Sequence, residues 1–322
     1  NDSEVAAIVK ALHERKPLPD DRQDPSPLAG VQSKISLMLL PDNRLAIPKP
    51  GTGAPTTHIL KVPDSNHPRE ARLEETAMNL ARLAGLDVAE VYCLSIAELE
   101  ALLVTRFDRA IDEQSRIIRI HQEDFAQALG LSAELKYERR GELGKRFDTR
   151  AIRSILDRTS NPDLARNSFI ASTFFDLLVG NSDAHAKNHA VIYNNGPIPK
   201  LAPRYDIVPT RLDPQVTGDF PFRIGTALNI SGLQQSDLSS FLSTLGIVSR
   251  GAQRRLNANV FLPMTDVLIN LLSNLQQDRQ KSFADLIAAN IKCLFPILNE
   301  KVPEAVSRRD AFITTGGGWL SN

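Results

Sequence analysis

Asp183 and Asn188, with four residues between them, lie in Gly180-Asn-Ser-Asp-Ala-His-Ala-Lys-Asn188, and a further acid follows in Tyr205-Asp206. Phosphoryl transfer between oxygens asks a protein for a carboxylate that accepts a hydroxyl proton. It also asks for hard oxygen ligands that hold a divalent cation beside a polyphosphate. Asp183 is a candidate for the first task, and Asn188 and Asp206 for the second. The same segment carries His185 and His189, and His-x3-His can bind zinc from one helical face. The zinc-peptidase pattern needs Glu directly after the first His, where Ala186 stands here, and the nearby Gly and Pro mark a loop. A metallohydrolase is therefore the weaker reading, and a hydrogen-bonded loop network is the bland one.

Other parts of a phosphoryl-transfer site lie upstream. Lys61 closes His58-Ile-Leu-Lys61, a strand-like run, in the place where a protein kinase keeps its phosphate-neutralising lysine. Glu74 falls on the next predicted helix, where it could hold that lysine by ion pairing. The turn Ala29-Gly30-Val31-Gln32-Ser33-Lys34 could wrap phosphates with backbone N–H groups. It is not a P-loop, because the strand follows the turn and no Gly-x4-Gly-Lys-Ser/Thr is present. Each feature alone has an ordinary explanation: a solvated lysine tip, an exposed helix charge, a simple turn. Their conjunction in kinase order, ending in Asp183, Asn188 and Asp206, carries the reading. Lys136 to Arg153, with seven basic and three acidic residues, is the clearest basic stretch; it reads first as a solvated face, with binding of nucleotide phosphates or of an acidic or RNA-bound partner as the other readings.

The elements that must position these residues fall into two groups. Strand signals occupy 33–40, 44–49, 58–62, 88–96 and 102–107, with one amphipathic helix from Pro68 to about Ala84. Beyond about residue 120 helical periodicity dominates, with a helix from Asn161-Pro162 to Gly180, short strands at 190–193 and 200–202, and helices from about Ser236 on. This predicts an α+β chain with a small antiparallel β-rich lobe and a larger mainly helical lobe. The expected divisions are 1–27 (extension or linker), 28–121 and 122–322.

Composition bounds the function. The 322 residues are 42% hydrophobic and 24% charged, which is ordinary for a globular protein and argues against general disorder. Thirty-eight basic residues balance 38 acidic ones, so no direct DNA binding by the chain alone is expected. Two cysteines, Cys93 and Cys293, exclude a disulfide scaffold and fit a reducing cytosol. No secretory leader pattern is visible in residues 1–20, and the longest apolar run, Leu286 to Leu298, is broken by Asn290, Lys292 and Pro296. A cytoplasmic protein without membrane association is expected.

The chain resembles the HipA-type serine/threonine kinases, toxins of bacterial toxin–antitoxin systems. The matching segments are Leu28 to Lys34, Thr56 to Lys61, Val104 to Arg109, Gln122 to Asp124, Gly180 to Asn188 and Tyr205 to Ile207, in family order. The resemblance implies a two-lobed protein-kinase-like fold using ATP and Mg2+. Asp183 would be the catalytic base, Asn188 and Asp206 the metal ligands and Lys61 a phosphate contact. His185, Lys187 and Tyr205 would lie beside the nucleotide, and Thr105, Arg106 and Phe107 would form the hinge that meets adenine. It further implies an aminoacyl-tRNA synthetase as substrate, whose phosphorylation inhibits translation, and a HipB-like DNA-binding antitoxin as partner.

Two departures qualify the resemblance. Only 27 residues precede Leu28, where family members carry about a small subdomain more. A short, HipT-like form is expected, with that subdomain on a separate small protein or removed by truncation. The serine that the family often autophosphorylates, three residues before the turn glycine, is replaced by Pro27, leaving Ser26, Ser33 or Ser36 as candidates. A phosphate there would add about two negative charges beside the nucleotide. The rival expectations are a small-molecule phosphotransferase of the antibiotic-modifying type and a non-catalytic nucleotide-binding regulator.

Overall fold

A computed structural model describes residues 2–18, 33–48, 54–114, 116–194, 196–277 and 280–307. They fall into two compact units, one from Asn1–Asn79 with Ala89–His121, the other from Leu80–Val88 with the chain from Gln122 on.

The first unit is built on a five-stranded antiparallel sheet in the order β2-β1-β3-β5-β4. Its strands are β1 (Lys34–Leu39), β2 (Leu45–Ala46), β3 (His58–Lys61), β4 (Val91–Ile96) and β5 (Leu99–Thr105). Side chains alternate between the two faces of a strand, and the register pairs Ile35 with Leu60 and Leu60 with Leu103. Ile35, Leu37, Leu60, Val62, Ala101 and Leu103 therefore form one apolar face. Lys61 falls on the opposite face by the same period.

Helix α1 (Asp2–His13) covers the apolar face, burying Val5, Ile8 and Val9 in the same cluster. The sequence reading assigned no element within 1–27. The spacing 5, 8, 9, 12 is helical, but the Pro- and Asp-rich stretch after Lys16 masked it. Burying each of these side chains contributes roughly 1.5–3 kcal/mol, which is why so short a helix persists. The His13 ring meets the Pro63 carbonyl at 2.7 Å, and Arg15 pairs with Asp64. Helix α2 (Glu70–Leu83) follows β3 and buries Ala71, Leu73, Glu74, Ala77 and Met78. A small hairpin, β6 (Arg109–Ile111) and β7 (Ile117–Arg119), was not anticipated.

The second unit is mainly helical. A three-stranded sheet in the order β10-β9-β8 comprises β8 (His121–Asp124), β9 (Ala190–Tyr193) and β10 (Lys200–Leu201). Helices α3 (Phe125–Ala128), α4 (Thr149–Leu156) and α5 (Pro162–Val179) lead to the Asp183 segment. Helices α6 (Gln235–Thr244), α7 (Arg250–Leu256), α8 (Leu262–Gln277), α9 (Lys281–Ile297) and α10 (Glu304–Ser307) complete the unit. A π-helical turn, Asn257–Phe261, joins α7 to α8. Among the described residues no helix is long and apolar enough to cross a membrane.

Candidate active site

Helix α5 fixes where the Asp183 segment begins. Asn161 caps its first turn by accepting from Leu164 N–H, and Pro162 occupies the first helical position, where no N–H is needed. At its far end Gly180 adopts φ +74°, and a Cβ there would stand 2.7 Å from Cδ2 of Leu286. Only glycine meets both conditions. Asn181 Nδ2 donates to Asp176 at 2.8 Å, Asp183 N–H to Asn181 Oδ1 at 3.1 Å, and Ser182 N–H to Thr210 at 2.9 Å. The loop is thus braced residue by residue before its functional side chains appear.

Those side chains converge. Asn188 Nδ2 donates to Asp206 Oδ2 at 2.8 Å. Asp206 has φ +61°, a left-handed backbone that few non-glycine residues adopt and that Asp tolerates. Tyr137 Oη donates to Asp183 Oδ1, and Lys136 Nζ lies 2.7 Å from His185 Nε2. Asp183 and Asp206 both act electrostatically on Lys136 and His185, so all of these groups share one neighbourhood. Burial lowers the affinity of Lys136 for its proton, with the two carboxylates opposing that effect. Burial likewise holds His185 below the ordinary imidazole range.

The second histidine has a different task. His189 is packed among Phe125, Phe147 and Phe169 and pushed well below its ordinary range by burial, then by Arg204. Its Nδ1 accepts from Arg204 at 2.6 Å, so the ring proton sits on Nε2 and is donated to the Ala184 carbonyl at 3.0 Å. Arg204 also grips both oxygens of Asp176, at 3.1 and 2.9 Å. His185 and His189 therefore do not act as a metal pair, and among the described residues no three His, Cys, Asp or Glu side chains are grouped for a metal.

The chemistry of the donors suits magnesium. An amide oxygen and a carboxylate are hard ligands, and Mg2+ is held by one or two carboxylates with substrate phosphates, not by a closed protein cage.

Several expected site residues have other engagements. Lys187 pairs with Asp124 at 2.7 Å, and Tyr205 donates to the Lys187 carbonyl at 2.8 Å. In the first unit Lys61 Nζ meets Glu74 Oε1 at 2.6 Å, both buried. Thr105 N–H donates to Glu90 O at 2.8 Å and Arg106 N–H to Thr57 O at 3.0 Å, so neither donor is available to adenine. The Arg106 guanidinium is taken by Asp108 at 2.7 Å, and Phe107 turns the chain after β5. Ser33 accepts from Val62 N–H at 2.8 Å, and Lys34 stands opposite Lys61 in the β1–β3 register. Ser36 is a correction: it is 0% exposed in mid-β1, so its hydroxyl is closed to phosphorylation in the folded chain. Ser26, Gly30, Val31 and Gln32 lie outside the described residues.

Sequence reasoning missed Lys136 and Tyr137, which it had absorbed into a basic surface stretch. A lysine beside a lone tyrosine at the start of that stretch was the available signal.

The model of the family described as the HipA-like C-terminal domain matches residues 26–265. Y4mE of Sinorhizobium fredii, named as a kinase, is 32% identical over 293 residues, 89% of this chain and 68% of that protein. The serine/threonine-protein kinase toxin HipA of Shewanella oneidensis is 30% identical over 230 residues, 68% of this chain but 51% of that protein. The chain therefore spans about half the length of that relative. Among solved structures, Shewanella oneidensis HipA, in a complex with HipB and its operator DNA, aligns with TM-score 0.73 and 23% identity over 96% of this chain and 74% of that one. The Helicobacter pylori proinflammatory kinase CtkA aligns with TM-score 0.53 and 13% identity over 82% of this chain and 92% of that one. These two likenesses show the α+β fold. With the family model extending over most of its length, the chain belongs to the HipA family, and residues 26–265 are its HipA-like C-terminal domain.

Proposed function

We propose that the chain is an ATP- and magnesium-dependent serine/threonine protein kinase. The observation that carries this reading is the convergence of Asp183, Asn188 and Asp206 behind α5, with Asn188 hydrogen-bonded to Asp206 at 2.8 Å. Asp183 would take the proton of the acceptor hydroxyl as that oxygen attacks the terminal phosphorus. Asn188 and Asp206 would hold Mg2+, which supplies charge neutralisation beside the phosphates when bound. Lys61, oriented by Glu74, would contact phosphate, and His185 and Tyr205 would border the nucleotide. Catalysis on this reading is mainly positioning and electrostatic stabilisation.

As a HipA-family member the chain would act as the toxin of a toxin–antitoxin pair, phosphorylating an aminoacyl-tRNA synthetase and so inhibiting translation. A HipB-like DNA-binding antitoxin is the proposed partner, supported by the HipB complex of the Shewanella protein. Incubating the chain with labelled ATP, magnesium and a cell lysate, followed by mass spectrometry, tests the proposal. Label on a protein serine or threonine, lost in Asp183→Ala while cooperative unfolding persists, is the expected result. Label found only on small alcohols would favour a small-molecule phosphotransferase, and an Asp183→Ala variant of undiminished activity would remove the mechanism.

A further inference from the structure

Tyr137 joins the candidate base to a cluster of cations. Its hydroxyl donates to Asp183, and the guanidinium carbons of Arg139 and Arg140 stand over its ring, 4.2 and 5.4 Å from the centre. A guanidinium is drawn to the negative face of an aromatic ring, a contact that leaves its N–H groups unused. Among the described residues neither guanidinium makes a hydrogen bond or an ion pair, and both residues are exposed. The Lys136 ammonium lies 5.1 Å from the same ring and is repelled by Arg140. Like charges gathered around one ring oppose one another, and an anion arriving from outside would relieve them.

The chain holds this cluster in place. Glu138–Arg140 form a single 3-10 turn. Glu138 N–H donates to the Pro221 carbonyl at 2.9 Å, and the Glu138 carboxylate accepts from Arg223 N–H at 2.6 Å. The acid next to the two arginines is thereby turned to backbone. Arg146, further along, is taken by Asp148 at 2.8 Å. From Lys136 to Arg146 five cations stand against two acids.

The kinase reading brings a protein hydroxyl to Asp183, so the neighbours of that hydroxyl in its own chain meet the surface around Tyr137. The N–H forks of Arg139 and Arg140 match a carboxylate in paired hydrogen bonds. We propose that Arg139 and Arg140 select the acceptor, favouring a serine or threonine flanked by aspartate or glutamate whose carboxylates dock on the two guanidiniums. This deepens the kinase reading and rests on it. The arginines are specificity-determining residues and take no part in the bond changes of the transfer step.

A dephosphorylated chymotryptic digest of a cell lysate, incubated with the full chain, ATP and magnesium, offers many acceptor flanks at once, and mass spectrometry maps the modified sites. Sites with Asp or Glu within three residues of the acceptor are expected to be phosphorylated about tenfold faster than sites with Lys or Arg there. The bias should shrink as salt is raised, because exposed pairs are screened. Arg139→Glu with Arg140→Glu should turn the preference towards basic flanks. Should that variant fail to unfold cooperatively, Arg139→Gln with Arg140→Gln should bring the ratio close to one. An acidic preference that survives both double variants would overturn the assignment. So would phosphorylation without any bias, or label on intact lysate proteins with none on the digest, and either would leave the kinase reading standing. Tight binding of a single-stranded RNA oligonucleotide that the Gln pair abolishes, with no acidic bias in the digest, would assign the arginines to nucleic acid and overturn the peptide role. No label on digest or intact lysate would remove the kinase reading and this one with it.

Discussion

The hydroxyl of Tyr137 donates to Oδ1 of Asp183, while Oδ2 of the same carboxylate takes no hydrogen bond from the described residues. The carboxylate is thus held in one rotamer with one oxygen spoken for and the other open. If Asp183 is the base, an acceptor hydroxyl docks on Oδ2, and Tyr137 serves as the group that orients it. Tyr137→Phe removes one hydrogen bond to a charged group, about 1.5–3 kcal/mol of orienting energy. Turnover should fall by roughly tenfold or more, with the KM for ATP within about twofold of the unmodified value. Steady-state kinetics on a phosphorylated protein substrate make the measurement. A rise in turnover would show instead that the phenol blocks the base.

Acid should weaken the fold before it protonates most carboxylates. Burial holds His58, His185 and His189 below the ordinary imidazole range, most strongly at His189, where Arg204 adds to it. Unfolded, these rings titrate near 6.5, so below that pH the unfolded chain binds more protons and stability is lost as pH falls. Asp176 works in the opposite direction. Burial pushes its carboxyl up to about 6 despite Arg204 and Asn181, so its share of stability is present at low pH and lost as pH rises through 6. Three groups against one set the net sign. Urea midpoints should drop from pH 7.5 to 5.5, with a slope of at most about 1.4 kcal/mol per pH unit for each net proton. His189→Gln should reduce that slope, whereas a midpoint that climbs on acidification would contradict the assignment.

Gly180 joins α5 to the Asp183 segment at φ +74°, with Leu286 of α9 directly above it. Gly180→Ala must place a Cβ against that leucine in a left-handed backbone, so either the helix end or α9 has to move. A loss of about 1–3 kcal/mol is expected from the backbone conformation and overpacking together. Because Asn181 and Ser182 follow immediately, activity should fall further than the fraction unfolded explains. Thermal denaturation alongside an activity assay at a temperature where the variant is folded separates the two effects.

Much of this site was legible in the sequence because its parts are local. Asn161-Pro162 and Gly180 punctuate α5, and Asp183, Asn188 and Asp206 sit near one another along the chain, so spacing alone predicted a common site. Lys61 and Glu74 were legible for the same reason: a strand end and the next helix are neighbours in most folds. What the sequence could not show was long-range pairing. Tyr137 reaches Asp183 across 46 residues of chain, and Arg204 reaches Asp176 across 28. Neither pairing leaves a periodic trace. Ser36 misled for a related reason: a serine among apolar residues of a strand looks accessible until both faces of the sheet are known to be covered. Helix α1 was hidden by the composition of the stretch that follows it, not by any weakness of its own pattern.

The buried pair in the first unit allows folding and chemistry to be tested apart. Lys61 and Glu74 are 7% and 1% exposed and 2.6 Å apart. Lys61→Met alone leaves the glutamate buried without its cation, a loss of about 3–5 kcal/mol, so an inactive single variant would say little about catalysis. Replacing both members by apolar residues of similar volume removes the stranded charge and is often close to neutral. The double variant Lys61→Met with Glu74→Leu should therefore recover most of the midpoint lost by the single variant in urea denaturation. It should still transfer phosphate at least about a hundredfold more slowly, since the ammonium proposed to contact phosphate is gone. A double variant that is stable and retains turnover would detach Lys61 from phosphate chemistry and leave the pair a purely structural contact.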